Sequence, residues 1–193
     1  MKATAWLALS LALAALPSTA SGQSADDALG RGQVEYAEGD FSTATIDFSI
    51  FCHLAPKDTN ADYAHVFIWL AQARLDQKAR ADTELSHVRA TSWNAKPDAW
   101  ISKIAAFFLD QISETDLFEA ANRPGVETVN QQHCEAWYYA GIKRLIAGDE
   151  TTALEYFNNC LDTGEETFTE YYFAQSQLKA LGQSIGIGRS STR

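Results

Sequence analysis

Residues 147–160, AGDETTALEYFNNC, have a near echo at residues 38–51, EGDFSTATIDFSIF. Each opens on Gly-Asp and helix-start chemistry, and each then carries an Ala followed four residues later by Phe: Ala44 and Phe48, Ala153 and Phe157. Upstream of each Gly-Asp, the spacing of Ala28, Leu29, Gly32 and Tyr36, and of Trp137 and Gly141, predicts another helix. Pro56 breaks the chain after the first copy. Helix, short turn, helix and stop make a tetratricopeptide-type (TPR) hairpin, whose period is ~34 residues.

Counting Gly39 and Gly148 each as position 15 of a unit puts Gly32 and Gly141 at position 8, Ala44 and Ala153 at 20, and Phe48 and Phe157 at 24. Two antiparallel helices approach closely only where small residues meet, with a large apolar residue filling the space opposite. In the second copy Glu165 stands where the first has Pro56, so Gly164 is expected to end it. The two Gly-Asp pairs lie 109 residues apart, which leaves room for two degenerate hairpins between them. DYAHVFIWLAQARLDQ with ARADTELSHVRA supplies one, its packing face read as Ile68, Leu70, Ala71 and Leu75. PDAWISKIAAFFLDQ with SETDLFEAAN supplies the other, with Pro97 at a helix start and a capping box from Ser113 to Asp116. A last helix, with Thr167 and Glu170 as its capping box and Gly182 as its stop, covers the open end of the stack. The fold expected is all-α: a right-handed superhelix of about four TPR-like hairpins plus a C-terminal capping helix, one domain over residues 21–182.

The first twenty residues, with Lys2, an apolar run from Ala5 to Leu16, Pro17 and the small residues Ser18 to Ala20, read as a cleaved secretory signal. The apolar run is shorter than the ~20 residues of a spanning helix, and Ala20 to Gln23 offers no cysteine for a lipid, so no stable membrane anchor is expected. Residues 183–193 read as a flexible tail. A hydrophobic fraction of 46% is that of a globular chain. A net charge of −10 argues against nucleic acid, which is held by Lys and Arg displacing counterions.

From SWNAKPDAWISKIAAFFLDQISETDLFEAAN and CEAWYYAGIKRLIAGDETTALEYFNNCLDTGEETFTEYYFAQSQLKALGQ, the chain resembles the periplasmic tetratricopeptide-repeat family typified by the bacterial lipoprotein NlpI. The match runs from about Asp26 to Gln183 and is most specific in its last third. It implies a repeat fold, a periplasmic location, and an adaptor role toward proteins that build or trim the cell wall and the proteases that control them.

Three cysteines accompany this chain into a compartment where disulfides persist. In a hairpin that turns near position 15, Cys134 at position 1 faces Cys160 at position 27, and these two are predicted to be bonded, leaving Cys52 without a partner. His133, Cys134 and Glu135 are sequence neighbours whose side chains diverge around a helix, so no metal site is expected there, and no cofactor motif occurs. Trp69, Trp100, Trp137, Phe107, Phe108 and Phe157 fall on packing phases.

Positions 2, 5, 9 and 12 of first helices line the concave face in repeats of this type. They are Asp26, Leu29, Gln33 and Tyr36 in the first hairpin, and Glu135, Tyr138, Ile142 and Leu145 in the last. Leu29, Tyr36, Glu135, Tyr138 and Ile142 are the candidate contacts to a protein or peptide partner, with Asp26 and Glu135 favouring basic ones. Three alternatives remain at this level: the last helix folds over the Tyr138–Ile142 strip, the strip is a homodimer interface, or the chain is a small hydrolase or thiol-redox protein.

Overall fold

The computed structural model describes residues 24–122 and 129–182. The expected signal, residues 1–20, and tail, residues 183–193, lie outside the described residues. Nine helices and no strand occur among the described residues: α1 Ala25–Glu38, α2 Phe41–Leu54, α3 Ala61–Arg74, α4 Lys78–Thr91, α5 Trp100–Phe108, α6 Glu114–Ala121, α7 Val129–Ile146, α8 Glu150–Asp162 and α9 Thr169–Ala180. The chain is all-α. Among these helices none is long and apolar enough to cross a membrane.

The Gly-Asp echo has a mechanical explanation. Gly39 and Gly148 have φ of +85° and +81°, a left-handed conformation that only glycine adopts without a Cβ penalty. There the Gly39 N–H donates to the Tyr36 carbonyl and the Asp40 N–H to Glu35, as Gly148 does to Leu145 and Asp149 to Arg144. This is the Schellman pattern that satisfies the last carbonyls of a helix. The next residue then starts the following helix, because the Asp40 carboxylate accepts the Thr43 N–H and the Asp149 carboxylate the Thr152 N–H. One dipeptide ends one helix and caps the next.

The two hairpins between turn in the same way without glycine. Asp76 and Asp110 hold φ of +59° and +57°. Gln77 N–H returns to Gln72 and Gln111 N–H to Ala106, completing the same backbone pattern. Asp is among the few residues whose short polar side chain tolerates this region. The capping box of Ser113 with Asp116 forms as expected. Two other predicted starts shift: α5 begins at Trp100 rather than at Pro97, and α9 begins after Phe168 with no side-chain cap, so the expected Thr167–Glu170 box does not form. Glu170 is buried instead.

Close approach within the first and last hairpins rests on the residues that the register selects. A Cβ placed on Gly32 would meet Phe48 at 2.9 Å, and one on Gly141 would meet Phe157 at 2.7 Å. Ala44, Phe48, Ala153 and Phe157 are fully buried. In α3 the register predicts less well. Leu70 and Ala71 are buried, but so are Val66, Phe67 and Trp69, while Ile68 is half-buried and Leu75 is exposed. Helices pack on both sides of α3, so it has no single apolar stripe.

Consecutive helices pack in pairs, and the odd-numbered ones also meet: α3 with α5, α5 with α7, α7 with α9, and α9 with α1. The first and last elements therefore touch. Phe173 of α9 sits at the convergence, its ring centroid 5.0 Å from that of Tyr36, 5.3 Å from Phe67 and 5.9 Å from Tyr138. Phe173, Ala174 and Leu178 are buried there, each large apolar side chain contributing about 1.5–3 kcal/mol. Arg74 of α3 closes the far end with a 2.8 Å hydrogen bond to Gln177.

Candidate functional site

The inner face of the first helices, where a partner groove was expected, is filled by the chain itself. Tyr36, Tyr138 and Ile142 have no exposure, and the Tyr138 hydroxyl donates to that of Tyr36 at 3.1 Å beneath α9. These three are not partner contacts in this conformation. Bridging the apolar strip with Phe173 removes it from water, which is the covering role that a terminal helix serves in an open stack. Asp26 is exposed in the first turn of α1 and is not part of the recess lining.

What stays open is the mouth of that groove. A recess of about 240 Å³ is lined by Leu29 and Gln33 of α1, Asn60, Tyr63, Ala64 and Phe67 at the start of α3, Glu135 of α7, and the residues from Thr167 to Glu170 that lead into α9. Leu29 and Glu135, two of the five expected contacts, fall here. So do Asn60, Tyr63 and Phe67 of the second hairpin, spaced three and four residues apart at the start of α3. Tyr63 was not among the expected contacts, because the second hairpin lacks the Gly-Asp pair that sets the register in the first and last. Glu170 was missed because its spacing from Thr167 read as a cap.

Both carboxylates are buried. Glu135 Oε2 accepts the Trp100 indole N–H at 3.0 Å, and Glu170 Oε1 accepts the Tyr139 hydroxyl at 2.6 Å. Burial pushes the Glu135 carboxyl well above the usual range, and the nearby Glu170 charge pushes it further. Burial likewise raises Glu170, against the stabilising hydrogen bond from Tyr139. Tyr63 is raised by burial and by the same two acids. Among the described lining residues there is no lysine or arginine. The recess is therefore an open hollow with two buried acids in its lining, walled in part by Leu29, Ala64 and Phe67. Its volume lies below the ~300–1,000 Å³ of typical small-molecule sites, so it suits one side chain rather than a metabolite.

Behind this wall, Cys134 and Cys160 come together as their positions predict. Their Sγ atoms are 3.3 Å apart and both residues are fully buried; the contact is that of two thiols, longer than the ~2.05 Å of a bond. Contact with the Cys160 thiol holds Cys134 below the ordinary range, while Cys160 is raised by the same contact and by burial. Cys52 is half-buried, and burial lifts it to about 12.

Of the aromatic residues assigned to packing, Trp69, Phe107, Phe108 and Phe157 are buried, and Trp100 and Trp137 are half-buried against the core. Trp100 also orients Glu135. No protein-family model matches this chain.

Proposed function

We propose that this protein is an exported, non-catalytic adaptor of the periplasm, a TPR-type right-handed superhelix related to the NlpI-like proteins, that takes a basic side chain of an envelope protein or peptide into the acid-lined recess. The observation that carries the reading is the pair of buried carboxylates, Glu135 and Glu170, facing a side-chain-sized recess whose described lining offers them no cation. A buried charge without a counter-ion is costly, and a partner's lysine or arginine would supply one. The repeat assignment is supported by the Gly32–Phe48 and Gly141–Phe157 contacts and by the backbone pattern that the four hairpin turns share. Tyr36, Tyr138 and Ile142 act in this scheme as the floor on which α9 is seated.

The test is an array of short peptides, basic, neutral and acidic, probed with the mature chain and with Glu135→Gln plus Glu170→Gln. Selective retention of lysine- or arginine-containing peptides, lost in the double variant, is the expected outcome. Retention independent of peptide charge, or unchanged in the variant, overturns it.

A homodimer is the second reading, carried by a different surface from the strip first considered. Ile46 and Leu54 of α2 are 60% and 48% exposed, with half-buried Ile50 between them at helical spacing. Sedimentation of wild type beside Ile46→Glu plus Leu54→Glu decides it: a dimer converted to a monomer supports this reading, and a monomeric wild type removes it. Thiol-redox catalysis is less well supported, since Cys134 and Cys160 are sealed from solvent.

A further inference from the structure

Two thiols of different helices meet in the buried interior of the last hairpin. Cys134 lies in the first half of α7 and Cys160 near the end of α8, at the open end of the hairpin, opposite the Gly148–Asp149 turn. Here no backbone turn holds the helices together. The Cys160 Sγ also lies 3.8 Å from the Glu170 carbonyl in the first turn of α9. α9 therefore lies directly over the pair.

We infer that Cys134 and Cys160 are an oxidation site, joined by a disulfide that is set while the chain folds and then sealed by α9. The sulfurs have to close by about 1.2 Å to reach bonding distance, a change within the reach of side-chain rotation on helices already in contact. The oxidant is an external disulfide, RSSR. The Cys134 thiolate attacks one sulfur of RSSR, forming a mixed disulfide and releasing RS⁻. Cys160, giving up its proton, attacks the Cys134 sulfur and expels the second RS⁻. The two protons lost by the cysteines convert both leaving groups to RSH, so one RSSR is reduced as one protein disulfide forms.

Timing follows from burial. Neither thiol is exposed once α9 is seated, so RSSR reaches them only earlier. Cys52 packs elsewhere, its Sγ 3.8 Å from the Ala61 carbonyl, and remains a thiol. The bond would brace the open end of the hairpin that carries Glu135, on the platform that α9 covers.

Two samples of the mature chain test this. One is refolded from denaturant with a mixture of oxidised and reduced glutathione, and the other is folded under reductant and given the same mixture afterwards. Both are then denatured and alkylated with N-ethylmaleimide. The refolded sample is expected to carry one adduct, on Cys52, and a peptide crosslinked between Cys134 and Cys160; the prefolded one is expected to carry three. Three adducts in the refolded sample, or a crosslink to Cys52, overturn the site. Equal oxidation of both samples overturns the sealing by α9. The bonded form is further expected to melt about 5–10 °C above its reduced form, with no such gap in Cys134→Ala. A wild type whose melting does not respond to reductant contradicts the staple.

Discussion

Glycine at positions 141 and 32 is required by contact, not by backbone conformation. Both lie inside helices, where glycine costs roughly 0.5–1 kcal/mol relative to alanine, yet a Cβ on Gly141 would sit 2.7 Å from the Phe157 ring. Gly141→Ala is therefore expected to destabilise by about 1–3 kcal/mol through overpacking, against the gain its helix propensity alone would give. Chemical denaturation checks the sign. The two buried acids make a second residue-scale prediction. Their folded-state pKa values are raised, so the stability they contribute is fully present below the unfolded value of ~4.3 and is lost as pH rises through the folded values. Glu135→Gln, which keeps an oxygen to accept the Trp100 N–H, is expected to melt above wild type at neutral pH, with the difference vanishing on acidification toward pH 4. A variant that melts lower at neutral pH contradicts the assignment.

The helical hairpin is set by its turn, and all four turns share one backbone pattern with two chemistries. The Gly-Asp turns were legible in the sequence because glycine advertises a positive φ. The turns at Asp76 and Asp110 were not, since aspartate is common everywhere and occupies this region only when its surroundings demand it. That is why the outer hairpins were placed to the residue and the inner ones only roughly. Asp76→Gly is expected to relieve the turn and stabilise by about 0.5–1 kcal/mol, as measured by urea unfolding. Asp110 is a poorer probe, because its carboxylate also pairs with Lys143 at 2.6 Å and Lys78 at 3.5 Å. Helix caps behave as the sequence suggests where the side chain faces water, as at Ser113. They fail where burial competes, as at Glu170, whose carboxylate turns inward to Tyr139. Local pattern cannot reveal such tertiary competition.

At the scale of the molecule, an arrangement that would otherwise expose an apolar inner face is closed by its own last helix. Phe173 covers the inner aromatic residues Tyr36, Phe67 and Tyr138. Sequence reading set this closure beside an open groove as alternatives, because position in a repeat marks the inner face without telling what covers it. Removing α9 is expected to uncover Tyr36 and Tyr138, lower the melting temperature and promote association, readable by scattering and by dye binding to apolar surface. The mouth of the groove, with its carboxylates, stays open, and in the proposed function it takes a basic side chain of a partner. The most direct test of that proposal is calorimetry of a lysine-containing peptide binding to the chain from residue 21 onward at several pH values, in buffers of different ionisation enthalpy. An entering ammonium favours the ionised carboxylates, so binding is expected to release protons, to tighten as pH rises through the raised values of the pair, and to weaken at least tenfold in Glu135→Gln plus Glu170→Gln. Binding that releases no protons and survives the double substitution would contradict the account.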